Sequence, residues 1–250
     1  KFVNFNSVRG LGNQIFMLDA GSGVVNVTDV VQCTSTNNCF RNNGDSNYII
    51  NVRNIINTGT VGLCNCIHAK NSGLFRGHNI YNVENVKSQG TNVFQPIRID
   101  YATYSGTITV NCSGIITRDS IVNTDAQSNN TVMCLGGNLI INGDIDGNGG
   151  LAIQISGNQP KTLIHNGNAF NNGTLPVLGY GVDIVPFWSN KNSNVTLNGL
   201  YTSINDNTLT VGGANAKTFV NGKIINSSAG IPTSGINIDA TNGELIIESL

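Results

Sequence analysis

Apolar residues along this chain come in short runs, cut at intervals by Asn or Asn-Gly. The clearest copies are Ile140-Ile141-Asn142-Gly143-Asp144-Ile145, Leu163-Ile164-His165-Asn166-Gly167, Val195-Thr196-Leu197-Asn198-Gly199-Leu200 and Phe219-Val220-Asn221-Gly222-Lys223-Ile224. Their Asn residues lie 24, 32 and 23 positions apart. Looser, Gly-free copies occur at Val52-Arg53-Asn54-Ile55-Ile56 and Val83-Glu84-Asn85-Val86, 31 apart. Each copy reads as two short strands meeting at a bend, where Asn and Gly both tolerate left-handed backbone. Strand-like units recurring every ~20–30 residues mark a solenoid. Hairpins in a meander or sandwich would instead put turns every ~8–12 residues between clean period-2 strands. The pattern therefore predicts an all-β fold, a parallel β-helix of about eight rungs, roughly 40 Å long at ~4.8 Å per rung. Stacked rungs would set Asn over Asn, with side-chain amides bonded along the stack.

Helical periodicity is nearly absent, and only Asn13–Ala20 offers one short turn. Residues 1–24 are expected to form a lead-in or cap, and residues 25–250 the β-helix. The segments 32–47 and 166–193 read as the longest excursions. Gly243–Leu250 reads as a further strand with no cap after it, so a continuing chain or a partner is expected to cover that end.

Composition strengthens this picture. Of 250 residues, 41 are Asn and 30 are Gly, while only 11% are charged. Globular proteins usually carry roughly 25% charged residues. Abundant Ile and Val alongside turn formers is a composition of short strands and tight turns. The net charge of −1 and the lack of a basic stripe argue against a nucleic-acid partner. No apolar stretch is long enough for a membrane-spanning helix. The six cysteines, Cys33, Cys39, Cys64, Cys66, Cys112 and Cys134, lack zinc-site spacing and read mainly as small core residues, with disulfides as the alternative.

Candidate chemistry is sparse. Asp144, Asp146 and Asn148 match the first half of a calcium loop, but its twelfth position is Ile155 rather than Glu. They are the candidate metal ligands, with calcium as the only candidate cofactor. Tyr180, Phe187 and Trp188 share a polar segment with Asn190, and exposed rings beside planar amides suit sugars, so these four are the candidate carbohydrate-binding residues. Arg76, Arg98 and Arg118 are candidate bases for polysaccharide elimination.

The stretch Asn138-Leu139-Ile140-Ile141-Asn142-Gly143-Asp144-Ile145-Asp146-Gly147-Asn148-Gly149 resembles the rung I-x-G-x-I-D-G-x-G of right-handed parallel β-helix proteins, the pectate-lyase-like and polygalacturonase-like superfamily that includes phage tailspikes. The resemblance covers about a dozen residues. It implies a right-handed helix, a polysaccharide ligand and, among the spikes, homo-oligomers such as trimers. The polygalacturonase-like catalytic motifs are not in place. Asn123-Thr124-Asp125 lies upstream of the rung, no Asp-Asp pair occurs, and Gly77-His78-Asn79 replaces G-H-G.

The expected function is thus a non-enzymatic structural or attachment protein, a bacteriophage virion appendage contacting host surface glycan and other virion proteins. A polysaccharide hydrolase or lyase and a secreted bacterial surface adhesin are the alternatives. The expected location is a virion or an extracellular surface.

Overall fold

The structure is a computed structural model. It describes residues 1–11, 14–34, 38–59, 65–69, 75–89, 95–100, 105–119, 130–148, 151–156, 160–171, 187–189, 192–203, 208–212, 214–227, 236–239 and 244–248.

Every described element is a β-strand, and every strand pair is parallel. The chain alternates between two sheets. Long strands such as Ser46–Asn57, Thr107–Arg118 and Ser193–Ser203 build the first; short ones such as Phe40–Asn42, Ile67–Ala69 and Ile97–Ile99 build the second. Each long strand pairs with the next long strand, and each short strand with the next short one, so the chain coils as a parallel β-solenoid. The second sheet is nine strands deep, so the rung count differs slightly from the eight expected.

Burial follows the pleat. Inward positions stack into apolar columns, one running Val25, Ile50, Tyr81, Val110 and Ile141. A second column, past the bend, runs Val31, Ile55, Val86, Ile116 and Ile145. Such columns bury the residues that give the chain its β propensity, at roughly 25 cal/mol per Å² of apolar surface removed from water.

The Asn repeat lies on the outside of the first sheet. Asn4, Asn26, Asn51, Asn82, Asn111, Asn142, Asn166 and Asn198 occupy one register position on successive rungs. From Asn26 to Asn198, each Nδ2 donates to the Oδ1 of the rung before it at 2.6–2.8 Å. The residue after each ladder Asn explains the two kinds of repeat. It is Val27, Val52, Val83 and Cys112 in the first half, and Gly143, Gly167, Gly199 and Gly222 in the second. In the Gly rungs the chain needs three residues from the ladder Asn to the inward column beyond the bend, as from Asn142 to Ile145. In the other rungs it needs four or five, as from Asn51 to Ile55 or from Asn111 to Ile116. The tight corner brings backbone against backbone, and only Gly fits there. A Cβ on Gly199 would overlap the Gly167 carbonyl oxygen.

The structure refines two readings of the repeat. Left-handed backbone at the bend belongs to Gly143, Gly167 and Gly199, not to the Asn before each. The early rungs align through Asn51 and Asn82, with Asn54 and Asn85 forming a separate contact of 3.0 Å beyond the bend.

Residues 1–24 hold the strands Phe2–Phe5, Val8–Gly10 and Phe16–Leu18, which pair with strands of the next rung. The short turn expected near Asn13–Ala20 is replaced by a strand at Phe16–Leu18, where Phe16 stacks on Phe40 of the rung above. The expected excursions 32–47 and 166–193 likewise carry second-sheet strands, Phe40–Asn42 and Phe187–Ser189. The five described cysteines are buried and none is joined in a disulfide; Cys64 lies outside the described residues.

Candidate functional site

In a three-residue strand with its first and third side chains turned inward, the middle one faces out. The second sheet repeats this arrangement on successive rungs. Its middle positions stack as Met17, Arg41, His68, Arg98, Met133 and Gln154, of which His68 and Gln154 are nonetheless buried. The flanking positions, such as Ile67 and Ala69 or Ile97 and Ile99, are buried in the core. A chain so poor in charge therefore places Arg41, His68 and Arg98 side by side on three neighbouring rungs.

Asp100 organises this row. It follows the strand Ile97–Ile99, and its backbone N–H donates to the Ala69 carbonyl at 2.9 Å. Its carboxylate takes two partners. His68 Nε2 lies 2.9 Å from Oδ2, and Arg98 Nε lies 2.5 Å from Oδ1. Burial alone would raise the Asp100 pKa. The hydrogen bonds and positive charge of His68 and Arg98 outweigh that, and the carboxyl is held below its ordinary value. An ionised carboxylate only accepts, so His68 carries its hydrogen on Nε2.

The arrangement is set from behind. Asn42 Nδ2 donates to the His68 carbonyl at 3.1 Å, and the Asn42 Oδ1 accepts from Asn79 Nδ2 at 2.8 Å and from the Tyr81 hydroxyl at 2.6 Å. At the strand entrances, the Asn65 N–H donates to Asn38 Oδ1 at 3.0 Å, and Asn65 Nδ2 donates to the Gln95 carbonyl at 2.6 Å. Arg98 also points an Nη1 at Gln95 Oε1, 3.4 Å away. His68 and Asp100 have side chains only 2% and 13% exposed, while Arg98 keeps 21%. Arg98 is thus a cation fixed in direction but reachable from solvent. A guanidinium held this way suits a carboxylate or a sulfate better than a mobile lysine would.

The candidates named from sequence fall in several places. Backbone register puts Trp188 next to Gln154 in the same row, and Phe187 next to Ile153. Tyr180 and Asn190 lie outside the described residues. Asp144, Asp146 and Asn148 sit on or just after the strand Gly137–Asp146, and all three take part in hydrogen bonds. Asp144 Oδ1 accepts from the Asn168 N–H at 2.8 Å, Asp146 Oδ1 accepts from the Asn148 N–H at 2.7 Å, and Asn148 Nδ2 donates to the Arg118 carbonyl at 2.7 Å. Of the three arginines, Arg98 alone belongs to the row. Arg76 is exposed elsewhere, and Arg118 is buried, its pKa pushed down to about 10 by loss of solvent.

Sequence reasoning singled out Arg98 but missed His68 and Asp100. His68 lies in Ile67-His68-Ala69 and Arg98 in Ile97-Arg98-Ile99, and a polar residue between two small or branched apolar ones was the available signal. Comparison with family models, curated proteins and solved structures gives no match for this chain.

Proposed function

We propose that this chain is the rod of an attachment appendage, most simply of a virion, and that the outer row of its second sheet holds an acidic surface glycan. The stack of Arg41, His68 and Arg98, with Arg98 oriented by Asp100, is the observation that carries this reading. A glycan lying along the rod meets a new rung every ~4.8 Å, a step comparable with one sugar residue. The repeated rod and the absence of the polygalacturonase-like motifs support attachment over cleavage. A right-handed coil related to the pectate-lyase-like and tailspike proteins is part of the same proposal.

Titration with polygalacturonate or hyaluronate, against neutral dextran, tests it. Binding is expected for the acidic polymers only, and Arg98→Ala is expected to weaken it roughly tenfold or more, since charge-assisted contacts are worth about 1.5–3 kcal/mol. Equal binding to dextran, or an unchanged Arg98→Ala, would count against the site.

One observation favours a second reading. His68 paired with Asp100 beside Arg98 is also a set that could move a proton in polysaccharide cleavage. New reducing or unsaturated ends during incubation with the same polymers would favour that enzyme.

A further inference from the structure

We infer that the outer face of the first sheet, ahead of the Asn ladder, is a self-association surface that packs against a second copy of this chain. The inference concerns a different face from the glycan row and does not rest on it.

Three outward columns make this face. The outermost is polar and runs through Ser22, His78, Thr107, Asn138, Thr162 and Asn194, reaching Lys217 on the rung after Ser193–Ser203. The innermost is the Asn ladder. Between them lies an apolar column that includes Val24, Ile49, Ile80, Ile140, Ile164 and Phe219, with Thr109 and Thr196 as its polar members. Ile49 is 42% exposed, and the others named are half-buried. Outward-facing isoleucines in one straight line are unusual for a surface that meets only water.

Charge is excluded from these columns between the rung of Gly21–Cys33 and the rung of Ser193–Ser203. Charged side chains of the same strands lie beyond the bend, at Arg53, Glu84, Lys87, Asp144 and Asp146, or inside, as buried Lys161 does. A face without charge meets its own copy with no like-charge repulsion. The charge-free stretch counts seven rungs. At ~4.8 Å per rung and five residues of strand at ~3.3 Å it offers roughly 550 Å² per copy, close to the roughly 600 Å² per partner at the low end of specific interfaces. The surface has relief as well: at the end of the charge-free stretch a depression of about 250 Å³ opens where Thr196 sits between Ile164 and Phe219, with Lys217 on its rim. An isoleucine from a second copy would fill it, apolar column on apolar column.

Sedimentation velocity of the 250-residue chain, at micromolar concentration and with no glycan present, tests the inference. The chain is expected to sediment as a dimer or higher oligomer. Ile140→Lys, in the middle of the face, should weaken self-association roughly tenfold or more, as a charge at an interface centre does, with an unchanged far-ultraviolet spectrum and melting curve. Ile225→Lys, on the other side of the bend, should leave the assembly intact. A monomeric wild-type chain would overturn the inference, and so would an Ile140→Lys variant that assembles like wild type. Equal disruption by Ile225→Lys would also overturn it, by pointing to another surface. If the oligomer forms but Arg98→Ala does not alter glycan binding, the glycan reading fails alone.

Discussion

Gly199→Ala is expected to destabilise the fold by about 3 kcal/mol or more, measured by denaturant unfolding. Two effects add. The new methyl group would overlap the Gly167 carbonyl oxygen on the rung below, and that neighbour is backbone, which cannot rotate away. Forcing extra volume into a packed interior costs roughly 1–3 kcal/mol. Gly199 also has a φ of +157°, which an L side chain adopts only with strain. The column continues through Gly167 and Gly222, so a shift at one corner is passed to both neighbours. Gly10→Ala is the contrast. Its nearest neighbour would be Ile15 Cγ1 at 3.1 Å, a side-chain atom that can move, and a change below about 1 kcal/mol is expected there. Equal losses at the two positions would mean that the tight Asn-Gly corner is not what Gly199 is for.

The second large effect is acid sensitivity centred on His165. Its register position lies between Ile141 and Leu197, both in the core, and its own side chain is fully buried. Nε2 donates to the Gly143 carbonyl at 3.0 Å, which leaves Nδ1 to accept from the Tyr201 hydroxyl at 2.5 Å. Burial pushes the His165 pKa down from 6.5 to about 4, against smaller upward contributions from the Gly143 carbonyl and Asp144. Protonation would place an Nδ1–H against the Tyr201 hydroxyl that donates to that nitrogen, donor against donor. The folded pKa lies below the unfolded one, so the unfolded chain takes up the proton first. The His165 contribution is therefore fully present above pH 6.5 and is lost as pH falls towards 4. A shift of this size corresponds to about 3 kcal/mol. Unfolding free energies measured across that window should fall with pH in wild type. The double variant His165→Leu with Tyr201→Phe removes both polar partners and should show a shallower fall by about the same amount. Parallel curves for the two proteins would contradict the assignment.

The solenoid was legible because its repeat is written in residues with one stereochemical use. Asn142-Gly143, Asn166-Gly167, Asn198-Gly199 and Asn221-Gly222 mark corners where backbone touches backbone, and that contact admits no other residue than Gly. The earlier corners were harder to place. There Val52 and Val83 fill the corner with a side chain and the chain takes a longer path, so the Asn recurs without Gly. The aligning signal was present all the same, in Val24-Val25-Asn26, Ile49-Ile50-Asn51, Ile80-Tyr81-Asn82 and Thr109-Val110-Asn111. The short strands of the second sheet were less visible still. Three residues give too little alternation to separate a strand from a loop, and Phe40–Asn42 was absorbed into an expected excursion for that reason.

The candidate site was only partly legible for a related reason. His68 and Asp100 are 32 positions apart in the chain and meet because neighbouring rungs stack. Spacing along one strand cannot announce a pair formed between rungs. Asp144 and Asp146 pulled attention the other way. They alternate along one strand, which looks like a ligand set in sequence, yet in the fold they cap the backbone of the rung above and of their own turn.

The Asn ladder, the Gly corners and the second-sheet row all depend on rungs stacked in parallel and in register, and distances between nitroxide labels test that most directly. Gln32, Thr117 and Ile225 share one outward column beyond the bend. Gln32 and Thr117 are three rung steps apart, roughly 14 Å, and Gln32 and Ile225 are seven steps apart, roughly 34 Å, at ~4.8 Å per step. With labelled chains diluted into unlabelled ones, pulsed and continuous-wave resonance should return two distances in a ratio near seven to three. Distances that do not grow with rung number, or a Gln32–Ile225 separation no longer than that of Gln32–Thr117, would contradict the parallel stack.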